Sequence, residues 1–214
     1  INDALAPQLD IGAKVINQSF ILTSNNLPVD QLYDNYADSY QALFVNGLNN
    51  GSNTTVTTPA NSYNCIAVGR EDLNHSQGPT DGRSKPDIIA PGSATSYATP
   101  YVSGSAAVLM EAALSPLEHG GSGTASDASD IRTIKALLLN GAVKSSTWGN
   151  TTTHPLDASR GAGLLNINQS HLQLQGGKHD PISGTNESSG GVHTPSSSTV
   201  GNVGSTIGWD FATI

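Results

Sequence analysis

Asp87-Ile88-Ile89-Ala90-Pro91-Gly92-Ser93-Ala94-Thr95-Ser96-Tyr97-Ala98-Thr99-Pro100-Tyr101-Val102-Ser103-Gly104 is the stretch on which the fold turns. Its first four residues, apolar after Asp87 and followed by Pro91-Gly92, predict a strand ending in a turn. From Ser96 to Leu114 the chain is apolar nearly all round. Ala98, Val102, Ala106, Ala107, Val108, Leu109, Met110, Ala112 and Ala113 leave no polar face. A helix of that composition is expected inside the protein. Gly104, Ser105 and Ala106 keep it thin enough for close neighbours. Pro100 falls near the first turn, where the missing N–H is expected to cost little.

Ser96 then stands at the N-terminus of a buried helix. Unpaired backbone N–H groups and the helix macrodipole favour negative charge there. A nucleophilic serine needs a base, donors for an oxyanion and an exposed position on a rigid element, and this placement supplies the last. The same placement also suits an ordinary N-cap serine, and local physics alone leaves both readings open.

Working outward, helical and short apolar segments alternate from residue 1 to about 175, the signature of a parallel α/β sheet. A helical piece over 2–10 leads to a strand at Ala13–Asn17. A helix near Val29–Tyr40 leads to a strand at Gln41–Val45. Asn46-Gly47-Leu48-Asn49-Asn50-Gly51 breaks that strand, because Gly and Asn tolerate the positive φ of tight turns. A third strand covers Cys65–Val68. Asp127–Lys144 reads as a surface helix, capped by Asp127 or Asp130, with Ile131, Ile134, Leu137 and Leu138 as its apolar face. Gly161-Ala162-Gly163-Leu164-Leu165-Asn166 reads as a closing turn and short strand. Gly, Ser and Thr then dominate a linker over 176–205, and 206–214 turns aromatic and strand-like, as if opening a β module.

The formal net charge is -8 and the pI about 4.9, with only nine Lys and Arg. Nucleic acid is therefore not an expected partner, since phosphate binding draws on clustered cations. No apolar run is long enough to span a membrane. Cys65 is the sole cysteine, which excludes an intrachain disulfide, and it reads as a buried strand thiol.

Thr95-Ser96-Tyr97-Ala98-Thr99-Pro100-Tyr101-Val102-Ser103-Gly104 resembles the nucleophile motif of the subtilases, Gly-Thr-Ser-x-Ala-Thr-Pro-x-Val-x-Gly. Gly78-Pro79-Thr80-Asp81-Gly82-Arg83-Ser84-Lys85-Pro86-Asp87-Ile88-Ile89-Ala90-Pro91-Gly92 is similar to the segment that precedes that motif in the family. The resemblance covers residues 1–175 and implies a three-layer α/β/α domain with a mainly parallel sheet, without the family's N-terminal strands. It implies Ser96 as nucleophile and Asn49 as the oxyanion-hole asparagine, from the match of the 46–51 turn to Ala-Ala-Gly-Asn-x-Gly. Val15-Ile16-Asn17-Gln18-Ser19 resembles the family's substrate-pairing strand, so Ser19, Phe20 and Ile21 are expected to hold an extended peptide, with Asn46, Gly47 and Leu48 across from them.

The chain departs from the family in several places. The Asp and His motifs of the triad are absent, and the family has them upstream of this region. His75 is the only histidine before Ser96 and reads as a surface-loop residue. His119, His154, His171, His179 and His193 read as solvated residues of loops and tail. Ala94 replaces a glycine, only two residues separate Pro91-Gly92 from Thr95-Ser96, and Leu48 replaces a glycine near the specificity pocket. The expectation is a secreted or cell-envelope serine endopeptidase acting on polypeptides, with a binding or assembly pseudo-protease as the alternative. No cofactor is identified; calcium rests on family analogy alone. An esterase is disfavoured, because Ser96 lacks the Gly-x-Ser-x-Gly elbow.

Overall fold

The computed structural model describes residues 9–52, 54–78, 84–115, 125–151 and 156–175. The helical piece expected at 2–10 lies almost wholly outside these residues, as do the expected linker and β module. Four strands, β1 (Val15–Gln18), β2 (Leu43–Gly47), β3 (Ile66–Arg70) and β4 (Ile88–Ala90), form one parallel sheet in the order β1-β2-β3-β4. Every residue of β2, β3 and β4 is buried, as parallel strands covered on both faces must be.

The helices are α1 (Leu27–Tyr40), α2 (Thr95–Ala113), α3 (Ala125–Ala128), α4 (Ile131–Asn140) and α5 (Ile167–Gln175). In α1 the Asn26 side chain caps the Val29 N–H, with proline in the first turn, and Gln41 ends the helix at φ 52°. That left-handed residue moves the start of β2 from the expected Gln41 to Leu43. Phe44 of β2 packs edge-on against Tyr33 and Tyr36 of α1, with ring centroids 4.9 and 5.7 Å apart. Gly47, three residues on and so on the opposite face of the strand, lies against Thr95 and Thr99 of α2. The two helices therefore sandwich the sheet, which is the expected α/β/α arrangement.

α2 differs from its expectation. Ala98, Val102, Ala106, Leu109 and Ala113 are buried, but Tyr97, Tyr101 and Val108 are more than half exposed. One side of an all-apolar helix is thus uncovered by any described residue. The expected helix over 127–144 is broken in two, because Asp130 leaves helical geometry to cap the Arg132 N–H at the head of α4. Its apolar face is as expected, with Ile131, Ile134, Leu137 and Leu138 buried.

The far edge of the sheet is closed by the 161–165 segment. The Ile89 N–H donates to the Gly163 carbonyl at 3.0 Å, and the Leu165 N–H returns to the Ile89 carbonyl at 2.9 Å. Gly163 holds φ +131° with no room for a Cβ against the Val143 carbonyl. Beneath this edge Asp87 is buried with Lys85, Oδ2 to Nζ 2.7 Å, and with Lys135 at 3.4 Å. Burial pushes the Asp87 carboxyl up, yet Lys135, Lys85 and the Ala67 N–H together hold it below the ordinary carboxylate value. Burial likewise opposes the Lys85 charge, and Asp87 more than offsets this, so its pKa is raised. Cys65 is buried beside this cluster, and burial raises its thiol pKa, as befits an inert core thiol.

Candidate active site

Ser96 is the second residue of α2, directly after the short β4-to-α2 connection. The glycine this connection needs is Gly92, at φ +155° with a would-be Cβ 2.8 Å from the Ala98 nitrogen. Ala94 is extended, at φ -146°, so alanine fits there without strain. Tyr97 and Ala98 N–H groups turn back to the Ala94 carbonyl. Among the described residues no hydrogen bond engages the Ser96 N–H or its Oγ. The Ser96 hydroxyl and backbone N–H are therefore both unengaged by any described residue.

Pro100 shapes this end of the helix more than its position suggested. It has no N–H for the Ser96 carbonyl four residues back, so that oxygen would be orphaned inside the first turn. Ser19 Oγ donates to it at 3.0 Å. Asn17 Nδ2 donates to Ser19 Oγ at 3.1 Å, and Ser103 Oγ donates to Asn17 Oδ1 at 2.9 Å. A polar relay thus ties the end of β1 to Ser96. Ser19 was singled out for its backbone; its hydroxyl and the parts played by Asn17 and Ser103 were not foreseen. The proline gap in the helix ladder was the available signal.

The turn after β2 sits beside the same helix end. Thr95 Oγ1 donates to the Leu48 carbonyl at 2.5 Å, and the Thr95 N–H donates to Asn50 Oδ1 at 2.9 Å. Asn49 faces elsewhere: its Oδ1 accepts from Thr57 Oγ1 at 3.0 Å, and its N–H donates to Ser76 Oγ at 3.2 Å. Asn46 is fully buried, with Nδ2 on the Pro59 carbonyl. Leu48 is buried against Val56, Ala60 and Ala67. Gly47 has no space for a side chain beside Thr99. This segment therefore leaves the Asn49-Asn50 pair part-exposed beside the head of α2, while the side chains of residues 46 and 48 are buried and much of its backbone is hydrogen-bonded within the protein.

Beyond β1, Phe20 and Ile21 are 50% and 40% exposed. Leu22 N–H pairs with the Thr58 carbonyl, while Phe20 and Ile21 show no backbone hydrogen bond among the described residues. An extended peptide can pair there.

His75 corrects its sequence reading. It is fully buried, not on a surface loop. Nδ1 accepts from the Arg70 N–H at 2.9 Å, which leaves the proton on Nε2 facing the Ser159 carbonyl at 2.9 Å. Both nitrogens are engaged, so His75 is a structural clamp and no base for Ser96. Its ring lies on Gly69, where a Cβ would meet Cε1 at 2.7 Å. Burial holds its pKa below the ordinary 6.5. His171 is on α5 rather than in a loop; His119, His154, His179 and His193 lie outside the described residues. No helix among the described residues is long and apolar enough to cross a membrane, and no metal-binding cluster occurs among them.

Solved structures with the same fold include the patellamide maturation protease PatA (24% identity, TM-score 0.56, 78% of this chain and 64% of that one). The prenylagaramide maturation protease PagA (24%, 0.57, 76% and 62%) and a protease from Pseudoalteromonas arctica (17%, 0.54, 81% and 55%) are similar too. The chain spans about three fifths of the first of these relatives. No curated protein matches it. The family model of the subtilases matches residues 1–166, from ahead of β1 through the closing Gly161–Asn166 turn, with Ser96 at the head of its buried helix; the chain belongs to the subtilase family.

Proposed function

We propose that the complete protein is a serine endopeptidase that cleaves polypeptides through an acyl-enzyme on Ser96. The observation that carries this reading is Ser96 itself, at the N-terminus of α2 with hydroxyl and N–H free and an asparagine pair beside it. An extended peptide would pair with the backbone of Phe20 and Ile21, bringing its scissile carbonyl to Ser96 Oγ. The Ser96 N–H and a side-chain amide of the Asn49-Asn50 pair would take up the charge on the tetrahedral oxygen.

The general base is proposed to come from sequence upstream of Ile1, since the only described histidine before Ser96 is locked between Arg70 and Ser159. Two features support that. β1 pairs on one side only among the described residues, and Tyr97, Tyr101 and Val108 leave one side of α2 open. A strand and helix bearing an Asp and a His would cover both. Export to the cell envelope or exterior belongs to the same proposal, by family resemblance, and fractionation of the host tests it. The activity test is peptide hydrolysis by the protein with its upstream segment, alongside Ser96→Ala. Hydrolysis abolished by that change supports the reading. Absence of hydrolysis by a folded protein with intact upstream motifs would contradict it.

A further inference from the structure

Pro100 leaves the Ser96 carbonyl without a helical donor, and the side chains that fill this gap form a chain of definite polarity. The Ser96 carbonyl can only accept, so the one proton of the Ser19 hydroxyl is committed to it, at 3.0 Å. Ser19 Oγ then presents its lone pairs to Asn17 and takes a hydrogen bond from Asn17 Nδ2 at 3.1 Å. The Asn17 amide is thereby turned with Oδ1 away from Ser19, and that oxygen accepts from Ser103 Oγ at 2.9 Å. Every proton in the chain points toward Ser96. Asn17 is on β1, Ser19 directly follows that strand, and Ser103 lies on α2, two turns beyond Ser96.

The opposite polarity is open to the same atoms. Ser103 Oγ lies 3.2 Å from the Thr99 and Pro100 carbonyls, and a helical serine can turn its proton to the carbonyl four residues back. Ser103 would then accept from Asn17 Nδ2, Asn17 Oδ1 would face Ser19, and the Ser19 proton would leave Ser96 for it. The two arrangements make equally many hydrogen bonds. They differ in where the last proton goes: to Thr99, whose carbonyl already faces the Ser103 N–H in the helical ladder, or to Ser96, whose carbonyl faces a proline. The Asn17 amide, by the way it is turned, selects between them.

We propose that Asn17 is a positioning residue: held by Ser103, it directs the Ser19 proton onto the Ser96 carbonyl and so fixes the first turn of α2 that carries the nucleophile. This rests on Ser96 being the nucleophile, and the experiment separates the two claims. In the protein with its upstream segment, kcat and KM are measured for Ser19→Ala, Asn17→Asp, the two combined, and Ser96→Ala. A carboxylate only accepts, so Asn17→Asp draws the Ser19 proton away from Ser96 while keeping the side chain's size and its bond from Ser103. Each single change is expected to lower kcat about fivefold, the size of one modest hydrogen bond, with KM nearly unchanged. Because both act through one proton, the combined variant is expected to lose about fivefold as well, against about 25-fold for independent effects. Thermal melts check that each variant is folded. A combined variant down about 25-fold would show the new carboxylate acting through its charge rather than through Ser19, and would overturn the assignment. An Asn17→Asp variant as active as the parent, or a loss confined to KM, would overturn it too, while Ser96→Ala still abolishes hydrolysis. Activity surviving Ser96→Ala would instead overturn the nucleophile itself.

Discussion

The two edges of the sheet are finished differently. At β4 the 161–165 segment returns to bond both the N–H and the carbonyl of Ile89, Gly161 sits on the Asp87 carbonyl, and Asp87 is buried with two lysines below. At β1 the outer side is unpaired among the described residues, and the neighbouring side of α2 shows Tyr97, Tyr101 and Val108 to solvent. The polar groups at the open end are arranged around Ser96, through Ser19, Asn17, Thr95 and Asn50. One edge is built to hold the fold, and the other holds Ser96, the proposed nucleophile. Substitutions at the closed edge should therefore move stability, and those at the open edge should move activity.

The largest contrast is Ser96→Ala. In the protein with its upstream segment it should lower kcat by about a million-fold and leave the melting temperature within a degree or two. A large stability change would blur the division. At the closed edge Asp87→Ala leaves Lys85 buried without its counter-charge. It should cost about 3–5 kcal/mol in urea unfolding, because breaking one side of a buried pair strands the other. A loss under about 1 kcal/mol would show that the cluster is not what secures this edge. Gly163→Ala forces a side chain to φ +131° against Val143 and should cost about 1–3 kcal/mol from backbone strain alone.

His75 sits behind the asparagine turn, between the two regions, and its effect depends on pH. Burial holds the folded-state pKa below the 6.5 of the unfolded chain, with Arg70 opposing its charge and Asp72 and the Ser159 carbonyl favouring it. From about 6.5 down to the folded value, the unfolded state binds the extra proton. Stability contributed by neutral His75 is thus present above 6.5 and is lost as pH falls through that window. His75→Gln should flatten the difference in melting temperature between pH 7.5 and pH 5.5. An unchanged slope would remove His75 as its source. The smallest effect belongs to Ser19→Ala. Ser96 keeps access to water, so losing this hydrogen bond should lower kcat/KM by less than about tenfold, equivalent to about 1 kcal/mol.

Much of this was legible in the sequence. Apolar runs of four or five residues between turn formers marked the strands, and the motif around Ser96 marked both the buried helix and the family. What was not legible depends on contacts far apart in the chain. The burial of His75 needs Ser159, eighty-four residues on. α2 read as buried all round because composition records what a surface prefers, not whether a neighbour is there to cover it. Asn49 and Asn50 have the same chemistry and adjacent positions, so only their partners, Thr57 and Thr95, tell them apart. α5 was missed because Ile167–Gln175 buries only Ser170 and Leu174 and so carries little apolar periodicity.

Ser96 is proposed as a nucleophile whose base is brought to the open edge by upstream sequence. A fluorophosphonate probe, which reacts with an activated serine, measures this directly. Labelling at Ser96 should be rapid in the protein with its upstream Asp and His motifs, scarcely detectable in residues 1–214 alone, and lost in both on Ser96→Ala. Equal labelling of the two proteins would show that Ser96 needs no base from upstream.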